Sequence, residues 1–443
     1  MVQTLADPRS LLEAITRRHS EPDWFVERRR KALEAYVDGA VPDRVQHLWR
    51  YTDPKLFTPC DTALNPPSTQ PSSGITDFPH TLRGLLSRGD VSGGVLLDGS
   101  GHARIELSPK VRAKGVVALD FHQALAEKPD LVKNHLGRLV GFDVSPTGIG
   151  KFEALNLALW NAGMVLYIPR NVQVEKPIHI WLSAPRSSAE DFFASRLLVI
   201  AEEGSEVTVI DECEGGGDKL KLNAAVEIFA GQASHVRYVS VQRLNQSVTY
   251  NVTERAEVCR DAHVLTAMAS LGSRVTKSDF GSILSGPGTN VELFGFLFGE
   301  GRQHFDHHTV HDHQAGHNLS NLDFKVVLKD HARSAYTGLI RIAPNSPESQ
   351  AYQENRNLLL NEGARAESIP ELEILTDEVK CSHGATVGTL DAQHIFYLMS
   401  RGMDRAEAIR LIVGGFIEPT LSRLDADLSE RLRGHVQERV KDL

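Results

Sequence analysis

Six histidines fall within fourteen residues of this chain: His304, His307, His308, His311, His313 and His317. Imidazole nitrogens suit Zn, Fe, Cu or Ni, which makes this stretch a candidate metal centre. Side chains alternate along a strand, so His307, His311, His313 and His317 would share one face and His304 and His308 the other. No HExxH or CxxC framework accompanies them. The competing reading, polar ladders hydrogen-bonded across the rungs of a stacked β region, is the stronger. A second candidate is Asp377-Glu-Val-Lys-Cys-Ser-His-Gly-Ala-Thr-Val-Gly388. Cys381 and His383 stand two apart there, so on a strand they point to the same side. A thiol and an imidazole on one face can bind a soft or borderline metal, or pass sulfur. By type alone, a lone cysteine is more often buried filler. Nucleotide chemistry finds no support, because there is no GxxxxGK(S/T) motif and Gly215-Gly-Gly217 follows the acidic run Asp211-Glu-Cys-Glu214. No GxSxG elbow is present either.

These residues sit in or next to a long run of short alternating segments, from about Met164 to Leu390. Similar corners break the run: Gly204-Ser-Glu-Val207, Gly231-Gln-Ala-Ser-His-Val236, Asp261-Ala-His-Val264, Gly288-Thr-Asn-Val291, Gly316-His-Asn-Leu319 and Gly363-Ala-Arg-Ala366. The first four are spaced by 27, 30 and 27 residues, and the fifth follows 28 later. A fixed period in this range marks stacked repeats, each burying its apolar face on the next. The flanks alternate with period two, as in Val207 and Val209 or Val236 and Tyr238, which signals strands. No helix of ten or more residues is patterned inside the run, which argues against a βαβ sheet and for a β-solenoid or parallel β-helix.

The ends change period. A helix is expected from about Asp23, with Phe25, Leu33, Tyr36 and Val37 on one stripe. Its Arg28-Arg-Arg-Lys31 segment reads as a solvated face balanced by Glu21, Asp23, Glu27 and Glu34. Ser10-Leu-Leu-Glu13 reads as a capping box. Trp49-Arg-Tyr-Thr-Asp-Pro54 ends the helical part, and residues 61–80, rich in Pro, Ser and Thr, read as a linker. Short strands at 94–98 and 116–119 precede helices near 121–125 and 152–161. After Leu390, Asp391 can cap a helix that Gly402 ends, and Asp404-Arg-Ala-Glu407 is a capping box. Leu424, Leu428, Leu432, Val436 and Val440 recur every fourth residue. The apolar stripes of this tail must either cap the solenoid end or meet a partner. Phe396, Ile409, Ile412, Val413 and Phe416 are the partner-binding candidates. The chain thus divides into a helical and mixed region over 1–162, a β-helix core over 163–390 and a C-terminal helical domain over 391–443.

The 443 residues are enough for a sizeable core, and 41% hydrophobic with 24% charged residues is ordinary for a globular chain. A net charge of −9 disfavours a general nucleic-acid or anionic-membrane binder. No run approaches 18 apolar residues and no signal-peptide pattern opens the chain, which points to the cytoplasm. The four cysteines (Cys60, Cys213, Cys259 and Cys381) lack CxxC spacing and are expected as thiols.

Glu378-Val-Lys-Cys-Ser-His-Gly-Ala-Thr-Val-Gly388, followed by Gln393-His-Ile-Phe-Tyr-Leu-Met-Ser-Arg-Gly402, resembles the signature of the SufB/SufD family. These are scaffold subunits of the SUF iron–sulfur cluster assembly system. Asn355-Arg-Asn-Leu-Leu-Leu360, Pro370-Glu-Leu-Glu-Ile374, His304-x-Asp306, Glu21-Pro-Asp-Trp24 and Trp49-Arg-Tyr-Thr-Asp53 match too, so the resemblance spans nearly the whole chain. It lies on the SufD side. Glu354-Asn-Arg-Asn357 stands where the SufB pattern carries a cysteine, and Cys-Ser-His-Gly stands where it has Glu-His-Glu. Glu348-Ser-Gln-Ala351 departs from the family's frequent Lys-Thr-Asp-Ala.

The resemblance implies a right-handed parallel β-helix between helical ends and a non-enzymatic scaffold. It implies a SufC-like ABC ATPase on the C-terminal helices and a SufB-like subunit near the β-helix end, with a homodimer as the form open to the chain alone. It further implies His383 at the subunit interface, where a transient iron–sulfur cluster forms or iron is acquired, with Cys381 as a weaker ligand. Flavin binding by the assembled complex is implied without a residue to carry it. The rival readings are a β-helix carbohydrate-active enzyme and a stand-alone metal-dependent enzyme built on His304–His317. The first needs convergent carboxylates on an exposed face, whereas the Asp and Glu residues read mostly as corner residues.

Overall fold

The computed structural model describes residues 9, 12–13, 15–16, 21–59, 78–98, 103–142, 150–186 and 192–441. Three sequence expectations, Ser10 of the capping box, Cys60 and linker residues 61–77, lie outside the described residues.

Strands β1 (Gly93–Leu97), β2 (Ala103–Leu107) and β3 (Val117–Asp120) precede the repeats. The first coils are β4 (Ala162–Ile168), β5 (Ile178–Ala184), β6 (Phe192–Ala201), β7 (Glu206–Gly215), β8 (Lys221–Ala230), β9 (His235–Leu244), β10 (Thr249–Val258) and β11 (His263–Ser270). They continue as β12 (Val275–Leu284), β13 (Asn290–Gly299), β14 (His304–His313), β15 (Leu319–Leu328), β16 (Arg333–Ile342), β17 (Ser349–Leu359), β18 (Arg365–Ile374) and β19 (Val379–Thr389). Each strand from β4 to β17 pairs in parallel with the strand two further on, giving two facing sheets and eight coils of two strands. The expected parallel β-solenoid is therefore the fold.

The corners explain the period. Each passage from an even to an odd strand, except the last from β18 to β19, holds one residue in the left-handed region: Asn171, Gly204, Ala233, Asp261, Gly288, His317 and Glu348. Most of their N–H groups donate to the next coil, as Gly204 does to the Gln232 carbonyl at 2.9 Å and Asp261 to that of Pro287 at 3.0 Å. Small or Asx-type residues suit that backbone, which is why the corners look alike in sequence. Gly363 is an exception. Its corner lies between β17 and β18, on the opposite edge, and Glu348 takes the place it was expected to fill. His317 likewise sits at a corner, exposed beside Glu348 at 3.4 Å, rather than on the histidine strand.

Alternate side chains of both sheets, among them Val209, Tyr238, Val264, Leu293 and Phe324, fill the interior. Helices cover the outer faces. On the even sheet, α1 (Asp23–Asp38) packs on a helix at Lys151–Leu159, which itself lies against β6 and β8. Within α1 the expected solvated basic face holds an exception. Arg29 is fully buried, its Nε and Nη2 donating to the Glu21 carboxylate at 2.9 and 2.8 Å and its Nη1 to the Ala158 carbonyl at 2.9 Å. Its guanidinium also stacks over Trp160, 4.1 Å from the ring centroid. A helical wheel could not show this, because the counter-surface comes from residues about 130 positions away.

Strand β14 splits the histidines by parity, as expected for that strand. Outward, His304 and His308 join Asp306 and Lys277 beneath Thr52, whose hydroxyl donates to Asp306 at 2.5 Å. Burial of Asp306 is outweighed by Lys277 and His308, which hold its carboxyl well below the usual range. Inward, His307 meets Ser270 at 3.0 Å and His313 meets Ser320 at 2.9 Å, while His311 is fully buried. Among the described residues, no three His, Cys, Asp or Glu side chains form a group that could hold a metal. These serine contacts cross between the two sheets, whereas the expected ladders run from rung to rung, as the Lys277–Asp306 pair does. No helix among the described residues is long and apolar enough to cross a membrane.

Two stability predictions follow from these buried groups. Arg29→Ala leaves Glu21 buried without its partner and is expected to cost about 3–5 kcal/mol. Glu21→Gln with Arg29→Met should cost clearly less, and urea denaturation compares the two. The second concerns the interior histidines. Burial pushes His307 and His311 down to about 3 and His313 to about 4. The unfolded chain therefore binds more protons below about pH 6.5, and these groups withdraw stability as pH falls. Glu254, raised by burial to about 8, and Asp211, raised to about 6, act in the opposite sense. His311→Gln removes one histidine and leaves both acids. Between about pH 7 and about pH 4.5 it should lose about 2 kcal/mol less stability than the parent. An equal loss in both chains would reject this assignment.

Candidate functional site

The two last strands, β18 and β19, are the sheet edges at the C-terminal end of the solenoid. They run for ten and eleven residues in parallel with β16 and β17, and among the described residues no strand pairs with their outer edges. Most of β19 is exposed, and methyl groups built at Gly384 and Gly388 would meet no atom within 4 Å. Ile374, Leu375 and Val387 are exposed apolar side chains at this end, each at least 40% accessible. A long edge of this kind is a template for pairing with another chain.

Cys381 and His383 lie on β19 in register with Ala351 and Gln353 of β17. Gln353 is buried and reaches across to the Gly338 carbonyl at 3.2 Å, which makes this the inward-facing register. The two residues share one face, as their spacing requires, but their surroundings differ. Cys381 is half-buried against the cluster of Ile340, Ile342 and Ala351, and burial pushes its thiol up. His383, one step further along, is exposed where the sheets end. The strand therefore offers an accessible imidazole and a thiol of low reactivity.

Beyond β19 come three helices; with the intervening ones at His80–Arg88 (α2), Pro109–Ala113 (α3), Phe121–Glu127 (α4), Pro129–His135 (α5) and Lys151–Leu159 (α6), these are α7 (Ala392–Ser400), α8 (Arg405–Leu421) and α9 (Ala426–Arg439). Asp391 caps α7 by accepting the Gln393 N–H at 2.7 Å, and Asp404 with Glu407 closes the expected capping box on α8. The tail does not cap the solenoid end. It lies along the outer face of the odd sheet, where Ile409, Val413, Leu428, Leu432 and Val436 cover Val239, Phe294 and Phe296. Arg431 of α9 fixes this position, its two Nη atoms donating to buried Glu212 at 2.6 and 3.1 Å, while His179 lies 3.0 Å from the same carboxylate.

Of the five residues expected to meet a partner, Ile409 and Val413 are thus spent on the chain's own core, and Ile412 and Phe416 are half-buried. Phe396 remains 73% exposed, with Tyr397, Met399 and Leu411 also accessible. A groove of about 980 Å³ between α8 and α9 runs past Leu411, Gly414 and Val440.

The expectation that acidic residues sit mostly at corners is corrected by the strands. Glu212, Glu227, Asp279 and Asp306 are all mid-strand, and each is paired with a basic side chain. Glu227 also accepts the N–H groups of Gly137, Leu139 and Val140 at 2.8, 2.9 and 3.2 Å. Outward parity of a charged residue within an apolar strand is the signal that could have found them.

Two family models match this sequence. "SUF system FeS cluster assembly, SufBD core domain" covers residues 185–416, and "SufBD protein N-terminal region" covers 100–180. The chain is 29% identical over 444 residues to the iron–sulfur cluster assembly protein SufD of Bacillus subtilis, covering 97% of each chain. It is 26% identical over 437 residues to an iron–sulfur cluster assembly SufBD family protein of Staphylococcus saprophyticus, covering 96% of this chain and 91% of that one. With the core model alone spanning more than half of its length, this chain belongs to the SufBD family of iron–sulfur cluster assembly proteins.

Proposed function

We propose that the chain is a scaffold subunit, without catalysis of its own, in an iron–sulfur cluster assembly complex. Its open solenoid end pairs with a SufB-like subunit, and the exposed side of its C-terminal helices receives a SufC-like ABC ATPase. The observation that carries this reading is the uncapped end, where two long edge strands and exposed apolar side chains surround His383. A second strand-edge surface placed there would bring its own ligands alongside an imidazole that is otherwise in solvent. The nascent cluster is cargo in this reading, held transiently between subunits. His383 contributes one ligand through a neutral ring nitrogen. Cys381 has a packing role, because its raised thiol is a poorer ligand.

Complementation of a deletion strain under iron limitation tests the site. His383→Ala should leave fold and complex intact and impair growth, whereas Cys381→Ser should be milder. Full rescue by His383→Ala, or loss confined to Cys381→Ser, would mean that the ligand is wrongly chosen.

Deleting the tail is an unsuitable test of the ATPase surface, because it would uncover Val239, Phe294 and Phe296. Phe396→Asp with Leu411→Asp changes exposed side chains only. This variant should weaken capture of the ABC ATPase at least tenfold in a pull-down while retaining the SufB-like subunit. Undiminished capture by a folded variant would refute that surface.

A further inference from the structure

A cleft beside the corners that lead into β14 and β16 is not used in that reading. It holds about 610 Å³ and lies between those corners and the segment around Tyr51. Arg44, Arg302, Arg333 and His331 line it against a single carboxylate, Asp53.

Stacking brings these residues together. His304 of β14 is in register with Arg333 of β16, and the N–H of His331 donates to the Gly301 carbonyl at 2.9 Å. Arg302 and Arg333 therefore belong to neighbouring coils, about 4.8 Å apart. The facing wall is held in place. The Thr52 hydroxyl is 2.9 Å from His304 and donates to Asp306, and Arg44 donates twice to the Arg50 carbonyl, at 3.2 and 3.0 Å.

The positive charge is only partly offset, by the Asp53 carboxylate in the cleft and Asp330 nearby. Among the described residues, neither Arg302 nor Arg333 forms an ion pair. Asp53 accepts the Lys55 N–H at 3.0 Å, and nearby Asp330 accepts the Gly301 N–H at 2.8 Å. Arg365, the register partner of Arg333 on β18, extends the same sign by one more coil. Such a concentration is unexpected in a chain of net charge −9.

Guanidinium forks match phosphate oxygens in pairs, and a cleft of this size is within the range of small-molecule sites. Two arginines one coil apart, with a third from the facing wall, fit linked phosphates better than a single one. Half-buried Tyr51 adds an aromatic surface beside them. A polynucleotide would run beyond the cleft onto an acidic chain, where repulsion opposes it. We propose that this cleft binds a small phosphorylated ligand, with a diphosphate group held by Arg302, Arg333 and Arg44.

Titration calorimetry of the full chain with inorganic diphosphate at low salt tests the site. The parent should show saturable binding at one site. Arg302→Ala and Arg333→Ala, read separately and together, should weaken it at least tenfold in the double variant. Arg112→Ala, which removes the same charge at an exposed position elsewhere, should leave it unchanged. Both cleft arginines are exposed, so unfolding is not expected, and circular dichroism checks it. Absence of saturable binding to the parent, undiminished binding by the double variant, or equal weakening by Arg112→Ala would each overturn the site.

Discussion

Each backbone N–H and C=O of a solenoid strand must find its partner on the coil before or after it, and that supply stops at two places. The N-terminal end resolves the problem within the chain. Strand β1 continues the odd sheet in parallel, β2 turns back antiparallel, and β3 closes the even sheet antiparallel to β4. The closing strands are short, five and four residues, and Phe78 and Leu82 pack over Leu96 and Trp181 beside them. At the other end the terminal strands are ten and eleven residues long, still parallel, and left in solvent. Short edges resist pairing and long flat ones invite it, so the asymmetry of the two ends gives the molecule a direction.

The same layering accounts for the buried charges. A sheet with an apolar outer face can take a helix at many positions, since hydrophobic contact has little directionality. Glu212 meeting Arg431, Arg196 meeting Glu227 and Arg29 meeting Glu21 reduce that freedom. Desolvation offsets much of the attraction within such pairs, so their value lies more in position than in net stability. Each one ties a segment outside the coils to a chosen place: α9 on the odd sheet, the 137–140 turn on the even sheet, and α1 on Trp160. The tail is thereby kept on the flank, and the C-terminal end stays uncovered.

Much of the solenoid is legible in the sequence because its causes are local. A left-handed corner favours Gly or an Asx-type residue, a strand between two faces alternates, and a helix start wants a side-chain oxygen. Gly204, Asp261 and Gly288, the Val207–Val209 alternation and the caps at Asp391 and Asp404 each report a preference that acts within a few residues. The pairing of Cys381 with His383 on one face follows from parity in the same way. Other features depend on what a residue meets across tens or hundreds of positions, and local pattern is silent there. The basic run in α1 hides one buried arginine, because its counter-surface is Trp160 and the Ala158 carbonyl. Gly363 resembles the other corners yet turns the chain on the opposite edge, since edge is set by counting strands rather than by corner chemistry. The apolar stripes of the tail announce that they must be buried, but only the tertiary structure decides that the odd sheet buries them and leaves β19 open. Local propensities thus determined the coil and its repeat, while long-range packing and paired buried charges decided which of its surfaces remain free.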